Sequence, residues 1–168
     1  MFFKNKPSAK KINETSAKIM AHAYELKGII SSSCKEHGIK INMEELEYST
    51  FLYDLFFYNQ VMHAKYSNFY IGVTINTILD SFEANLNKSG NNIPKGYFQK
   101  IYKNLSKSLF DIYKYSKNHG MDEIYSVATY YCGDELQLTE EQFDEDEVLI
   151  ELITEHFYKI MNLPDVEI

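Results

Sequence analysis

Hydrophobic residues recur every three or four positions over long stretches of the chain, which is the spacing of one face of an α-helix. The first stretch follows Pro7, and Gly38 is placed to be its C-cap. Its apolar positions are Ile12, Ile19, Ala23, Leu26, Ile30 and Cys34. The pattern therefore predicts a first helix between Pro7 and Gly38.

The second helix has the best-defined start in the sequence. Asn42 can cap it, with Glu45 at the third helical position. From there to about Lys65 the sequence is apolar around most of its circumference, and a helix of this kind is buried on all sides. We therefore predict that it is the central helix. One polar line remains along it: Glu47, Thr50, Asp54, Tyr58 and Lys65.

The third segment, residues 69–86, has helical spacing, although the composition of residues 70–75 is also typical of a strand. We predict a helix and keep the strand as the alternative. Residues 88–96 have the composition of a loop. The fourth helix follows, with apolar residues on one face and lysines on the other, and ends at His119-Gly120, as the first ends at His37-Gly38. We interpret both His-Gly pairs as helix caps.

The C-terminal part of the chain predicts two more helices. A short one covers about residues 122–131, and Thr139 with Gln142 forms a capping box for the last one, which stops before Pro164. Leu138 and Phe143 are placed to be its hydrophobic staple. Six helices with short connections predict an all-α, single-domain bundle over residues 1–168, with residues 1–7 as a flexible basic lead.

Composition supports this fold class and limits the location of the protein. The chain has 168 residues, enough for one domain, and its 14 Tyr and 11 Phe favour a packed core over disorder. Two cysteines are too few for a disulfide scaffold. No secretory signal and no apolar run long enough to span a bilayer occur in the sequence. We expect a cytoplasmic protein with no membrane contact.

Charge is strongly segregated along the chain. All 17 basic residues are lysine, so bidentate arginine recognition of phosphate or carboxylate cannot come from this chain. Residues 88–120 carry seven lysines and one aspartate, whereas residues 121–168 carry fourteen acids and one lysine. The basic and acidic segments could pair within the fold or face different partners.

Four carboxylates could form a magnesium site if the second and third helices are antiparallel. The two pairs have i,i+3 spacing, and together they would provide the oxygen ligands that Mg²⁺ prefers. The candidate ligands are Glu44, Glu47, Asp80 and Glu83. They resemble the E-x-x-E and E-x-x-D pairs of the all-α nucleotide pyrophosphohydrolases, although the second pair here has the reversed order. This resemblance implies a Mg²⁺-dependent nucleotide hydrolase; ordinary solvated acids are the alternative.

A zinc site is a further hypothesis. Cys34 and His37 share one side of a helix end, and His119 with Cys132 could complete four ligands. The spacing matches no standard zinc pattern, and Cys34 continues an apolar stripe. The sequence therefore favours a buried structural cysteine.

Two charged surfaces could instead bind a macromolecule. The fourth helix carries the candidate contacts Lys100, Lys103, Lys107 and Lys114, near several tyrosines, a combination that can bind single-stranded nucleic acid. The last helix starts with the acidic candidates Glu140, Glu141, Asp144, Glu145, Asp146 and Glu147, which could attract a basic protein.

Because no nucleotide-binding or nucleophile motif is present, the sequence favours a non-enzymatic protein-interaction module without a cofactor. An acidic inhibitor, an immunity protein or a regulatory protein would fit this description. The net charge of −7 makes nucleic acid the less favoured partner. Homo-oligomerisation is left open.

Overall fold

The computed structural model describes residues 7–139, 142, 147–164 and 166–168. Six α-helices and one π-helical turn lie within these ranges, which contain no strand. The helices are α1 (Ala9–Glu36), α2 (Met43–His63), α3 (Asn68–Lys88), α4 (Tyr97–Asn118), α5 (Glu123–Tyr130) and α6 (Glu147–Met161), and the π-helical turn is Tyr131–Glu135. The prediction of an all-α bundle is confirmed, and residues 70–75 are helical rather than extended. Residues 1–6 of the predicted lead lie outside the described ranges.

The predicted helix starts have the expected hydrogen bonds. The Asn42 side chain accepts from the backbone N–H groups of Glu44 and Glu45, at 3.0 and 3.4 Å. The N–H of Thr139 donates to the Gln142 side chain at 2.9 Å, and the N–H of Gln142 donates to the Thr139 hydroxyl at 3.3 Å. Both caps are confirmed, because they depend only on residues close in sequence. Phe143, the predicted staple residue, lies outside the described ranges.

Helices α1 and α4 end in the same way. Gly38 and Gly120 both have φ of 68°, a left-handed conformation that glycine adopts without strain. The residue after each glycine donates its N–H to the carbonyl five residues earlier, at 2.8 and 2.9 Å. In His37 and His119, Nδ1 lies 3.0 and 2.8 Å from the carbonyl oxygen four residues earlier. The His-Gly pairs are therefore caps, as predicted.

Helix α2 lies at the centre of the bundle, where it contacts α1, α3, α4 and α6. Residues 51–58 are all buried. Phe51 stacks on Phe82 of α3 with ring centroids 3.8 Å apart, and Phe57 stacks on Phe157 of α6 at 4.3 Å. Since α2 is enclosed on every side, the polar residue Asp54 is buried with the aromatic ones.

None of the described helices combines the length and the apolar character needed to cross a bilayer.

Candidate functional site

The outer face of α4 is a row of exposed lysines. The lysines are spaced three or four residues apart, except for a gap of seven residues between the third and the fourth. They are Lys100, Lys103, Lys107, Lys114 and Lys117. Phe110 occupies the gap and is 50% exposed. We call these six residues the lysine face. Helix α4 packs through its other side on α3 and α5.

The lysine face keeps a positive charge, because Asp111 is the only acid on α4. None of its lysines has a carboxylate oxygen within ion-pair distance in the described part of the chain. Some lysines elsewhere do: Lys27 pairs with Glu47 at 2.6 Å, and Lys159 pairs with Glu25 at 2.8 Å. The outer face of α4 thus has five exposed lysines against one exposed acid, Asp111, and no ion pair joins them.

A groove lies beside the lysine face, between α2, α3 and α4. It consists of two adjoining cavities of about 520 and 410 Å³, which share Asn59, His63 and Asn68. Its lining is rich in side-chain amides, which are Asn59, Gln60, Asn68, Asn76 and Gln99. Lys103 and Lys107 line its α4 side. We call this cavity the amide groove.

Two buried acceptors of the amide groove, Asn59 Oδ1 and Gln99 Oε1, have no hydrogen-bond partner, and the Tyr102 hydroxyl, whose oxygen interacts with the Asn59 side chain, has no acceptor for its proton. Tyr102 is 6% exposed, and burial raises its pKa, so its hydroxyl stays protonated and can donate. The Gln99 amide is held in place because its Nε2 donates to Asp80. An unsatisfied buried polar group costs about 1–3 kcal/mol. A ligand that hydrogen-bonds to these atoms would therefore recover part of this cost.

A second polar cluster lies in the core between α2 and α6. Nε2 of His156 lies 3.0 and 3.1 Å from the two carboxylate oxygens of Asp54, and the side chains are 2% and 0% exposed. His22 of α1 extends the cluster: its ring centroid is 6.0 Å from that of His156, and its Nδ1 lies 3.1 Å from the Tyr58 hydroxyl. This enclosed pair connects α2 to α6 and has a structural role.

Burial raises the pKa of Asp54 to about 6, against the opposing effect of its hydrogen bond to His156. Between about pH 4 and 6, the folded protein therefore holds a proton that the unfolded chain has released, so rising pH reduces stability through this group. As pH rises through this window, we expect the unfolding free energy of wild type to fall relative to that of Asp54→Asn by on the order of 2–3 kcal/mol. Urea unfolding of both proteins at several pH values checks this, and a constant difference in unfolding free energy would contradict it.

The predicted magnesium ligand Glu83 has a different role. It is 6% exposed, and its carboxylate accepts from the backbone N–H groups of Gly96 and Phe98, at 3.0 and 3.5 Å. Gly96 precedes α4 and has no side chain that could cap the helix. The Glu83 carboxylate, contributed by α3, satisfies the first N–H groups of α4 in its place.

The other three predicted magnesium ligands have separate partners. Glu44 accepts from the Tyr48 hydroxyl, Glu47 pairs with Lys27, and Asp80 accepts the amide of the groove residue Gln99. In the described ranges, no three His, Cys, Asp or Glu side chains are grouped to hold a metal ion. The convergence that the magnesium hypothesis requires is not found there.

The residues considered for zinc occupy two kinds of environment. Cys34 and Cys132 are 0% exposed and belong to the core, whereas His37 and His119 are exposed and cap helix ends. The burial of Cys34 agrees with its interpretation as a structural cysteine.

Most of the predicted acidic surface lies outside the described residues. This applies to Glu140, Glu141, Asp144, Glu145 and Asp146. Glu147 is described, as the exposed first residue of α6. The acidic interaction surface therefore stays a prediction.

A separate acidic cavity of about 250 Å³ lies beside the π-helical turn and is lined by Glu45, Asp134 and Glu135, with Lys40 at its edge. Desolvation, and then the charge of Asp134, raises the pKa of Glu135. The acids of this cavity disfavour an anionic ligand there.

The sequence identified the lysines but not the groove beside them. The groove residues come from three helices between residues 56 and 110 and form no local motif. The polar line on α2 was visible in the sequence, but its partner His156 lies 102 positions from Asp54. No protein-family model, curated protein or solved structure matches this chain.

Proposed function

We propose that this chain is a helical binding module that docks an anionic macromolecule on the lysine face of α4. The observation that carries the proposal is the concentration of five exposed lysines along one face of α4, which has a single acid, Asp111, and no ion pair in the described residues. Like charges crowded on one helix face repel one another, and an anionic partner relieves that repulsion.

The geometry of the lysine face favours an extended partner. Lys100 and Lys114 are fourteen residues apart, which corresponds to about 21 Å along a helix. Lys100, Lys103 and Lys107 follow one another at about 5–6 Å along the helix, within the Debye length of about 8 Å at physiological salt, so their fields add, and Lys114 lies about 10 Å further on. Because lysine binds as a point charge, we expect affinity to depend strongly on salt.

The alternatives have less support. A magnesium-dependent hydrolase would need Glu83 to give up its capping role and Glu47 to leave Lys27. An interaction of residues 140–147 with a basic protein is supported by charge complementarity alone, because most of these residues lie outside the described ranges. The net charge of −7 does not oppose binding at α4, because a local field steers association over short distances.

Two matched variants test the proposal. The first replaces Lys100, Lys103, Lys107 and Lys114 with alanine. The second replaces four exposed lysines outside α4 with alanine, which are Lys10, Lys18, Lys35 and Lys40. Both remove four positive charges, so the net charge of each becomes −11 instead of −7.

The probe is a labelled heparin fragment, whose binding is followed by fluorescence anisotropy between about 50 and 200 mM salt. Wild type should give a slope of log affinity against log salt of about −3, as four contacts predict. We expect the α4 variant to lose at least about ten-fold in affinity at low salt and most of the slope, and the control to resemble wild type. Equal losses in both variants, or no binding by wild type, would contradict the proposal.

A further inference from the structure

The amide groove and the lysine face are parts of one surface. Lys103 and Lys107 line the groove and also belong to the exposed row on α4, and Phe110 lies beside both. A partner held by the lysines therefore has part of its length directly over the groove. The volumes of the two cavities, about 520 and 410 Å³, fall in the range of about 300–1,000 Å³ that is typical of sites for small organic groups.

The unsatisfied atoms of the groove distinguish between classes of anionic partner. The Tyr102 hydroxyl is a donor, and Gln99 Oε1 is an acceptor whose orientation is fixed by the bond from its amide to Asp80. An ionised carboxylate or phosphate offers only acceptors and would leave the Gln99 oxygen unpaired, so a group that satisfies the groove must also carry a donor. The edge of a nucleobase presents donors and acceptors side by side, and amide side chains pair with such edges.

We propose that the partner is a single-stranded nucleic acid, with phosphates on Lys103 and Lys107 and one unstacked base in the amide groove. The strand must be single, because a base can enter a groove only when it is not held in a duplex. Phe110, half exposed within the lysine face, provides an aromatic surface for a neighbouring base. This inference rests on the proposed function of the lysine face and adds the identity of the partner.

Two strands with equal phosphate content separate the contribution of the bases from that of charge. One is a labelled single strand of mixed sequence of about 12 nucleotides, and the other is an abasic strand of the same length. We expect wild type to bind the normal strand at least roughly five-fold more tightly, since each stacked base adds to affinity. Equal affinity for the two strands would overturn the inference. A duplex of the same sequence should also bind more weakly than the single strand, and preferential binding of the duplex would overturn it as well.

Tyr102→Phe tests whether a base of the bound strand lies in the amide groove. The variant loses a hydroxyl whose proton has no acceptor in the free protein and whose oxygen interacts only with the Asn59 side chain, so its thermal stability should stay close to that of wild type. We expect its affinity for the normal strand to fall roughly five-fold, as for one lost hydrogen bond, and its affinity for the abasic strand to stay unchanged. The matched control is Tyr24→Phe on α1, where the side chain is 78% exposed and the same change should alter neither affinity.

Gly72→Leu is a second variant that does not depend on the hydroxyl. Gly72 lines the groove from α3, and a Cβ at this position would meet no atom within 4 Å. A leucine there should therefore fold normally, gain helix propensity and obstruct the groove. We expect a larger affinity loss for the normal strand than for the abasic strand; no difference in either variant would overturn the inference.

The outcomes for the two proposals can be told apart. If the heparin fragment and the abasic strand bind through the lysine face but neither groove variant affects the normal strand, the anionic binding module stands and the nucleic-acid inference fails. If no polyanion binds wild type, the proposed function fails first and the inference fails with it.

Discussion

Replacing His156 with alanine is expected to destabilise the protein by about 3–5 kcal/mol at neutral pH. His156 donates from Nε2 to a carboxylate, that of Asp54, which is 0% exposed, and the substitution leaves this carboxylate without its donor in the core. A cavity left by the imidazole adds to the cost. Urea unfolding measures the effect, and a loss below about 1 kcal/mol would show that the pair is not the buried contact described here.

Two further variants test whether the loss comes from the contact between Asp54 and His156. His63→Ala removes an exposed histidine from α2 and should change the unfolding free energy by no more than about 0.5 kcal/mol. The double variant Asp54→Leu/His156→Leu removes both polar groups, and it should be less destabilised than either single leucine variant, because neither buried group is left without its partner. Additive losses would contradict this coupling.

Replacing Phe57 with alanine should cost about 3–5 kcal/mol through a different mechanism, the loss of packing in the centre of the bundle. Phe57 is 0% exposed, stacks on Phe157 of α6 at 4.3 Å and meets Phe56 edge-on at 5.4 Å. Truncation removes these contacts and opens a cavity where α2 and α6 meet. Thermal and urea unfolding report the loss.

The matched control for this substitution is Phe69→Ala in α3. Its ring is 73% exposed, so the same change in chemistry should cost less than about 1 kcal/mol. Similar losses at the two positions would contradict the placement of α2 at the centre. A loss confined to Phe57→Ala would support it.

The helices could be predicted from the sequence because their signals are local. The caps at Asn42 and Thr139 involve residues no more than three positions apart, and the helix ends at Gly38 and Gly120 involve five. The all-round apolar character of α2 likewise predicted its central position. Each of these signals can be read within one or two helical turns.

The amide groove and the buried pair could not be predicted in this way. Asp54 and His156 meet only because α6 packs against α2, and a histidine on an apolar helix face gives no sign of its partner. The role of Glu83 as a cap for α4 follows from Gly96, which provides no side-chain cap of its own. Such contacts depend on how the helices are arranged rather than on their local sequence.

The segregation of charge has a partial explanation in the packing. Helix α6 lies against α1, α2 and α5, whereas α4 packs mainly on α3 and α5. The lysine face thus has no counter-charge on the described residues of α6. All seven lysines of residues 88–120 are exposed, and binding of an anionic partner is the function that we propose for the five on α4.

Lysine acetylation of the wild-type protein, read by mass spectrometry with and without a saturating single-stranded oligonucleotide or heparin fragment, tests whether polyanions bind the lysine face. The acetylation rate of each lysine is measured separately, and no substitution is needed. We predict that Lys100, Lys103, Lys107 and Lys114 are protected by the polyanion, while Lys10, Lys18, Lys35 and Lys40 react at the same rate in both samples. Uniform protection of both sets, or protection confined to lysines outside α4, would contradict this prediction.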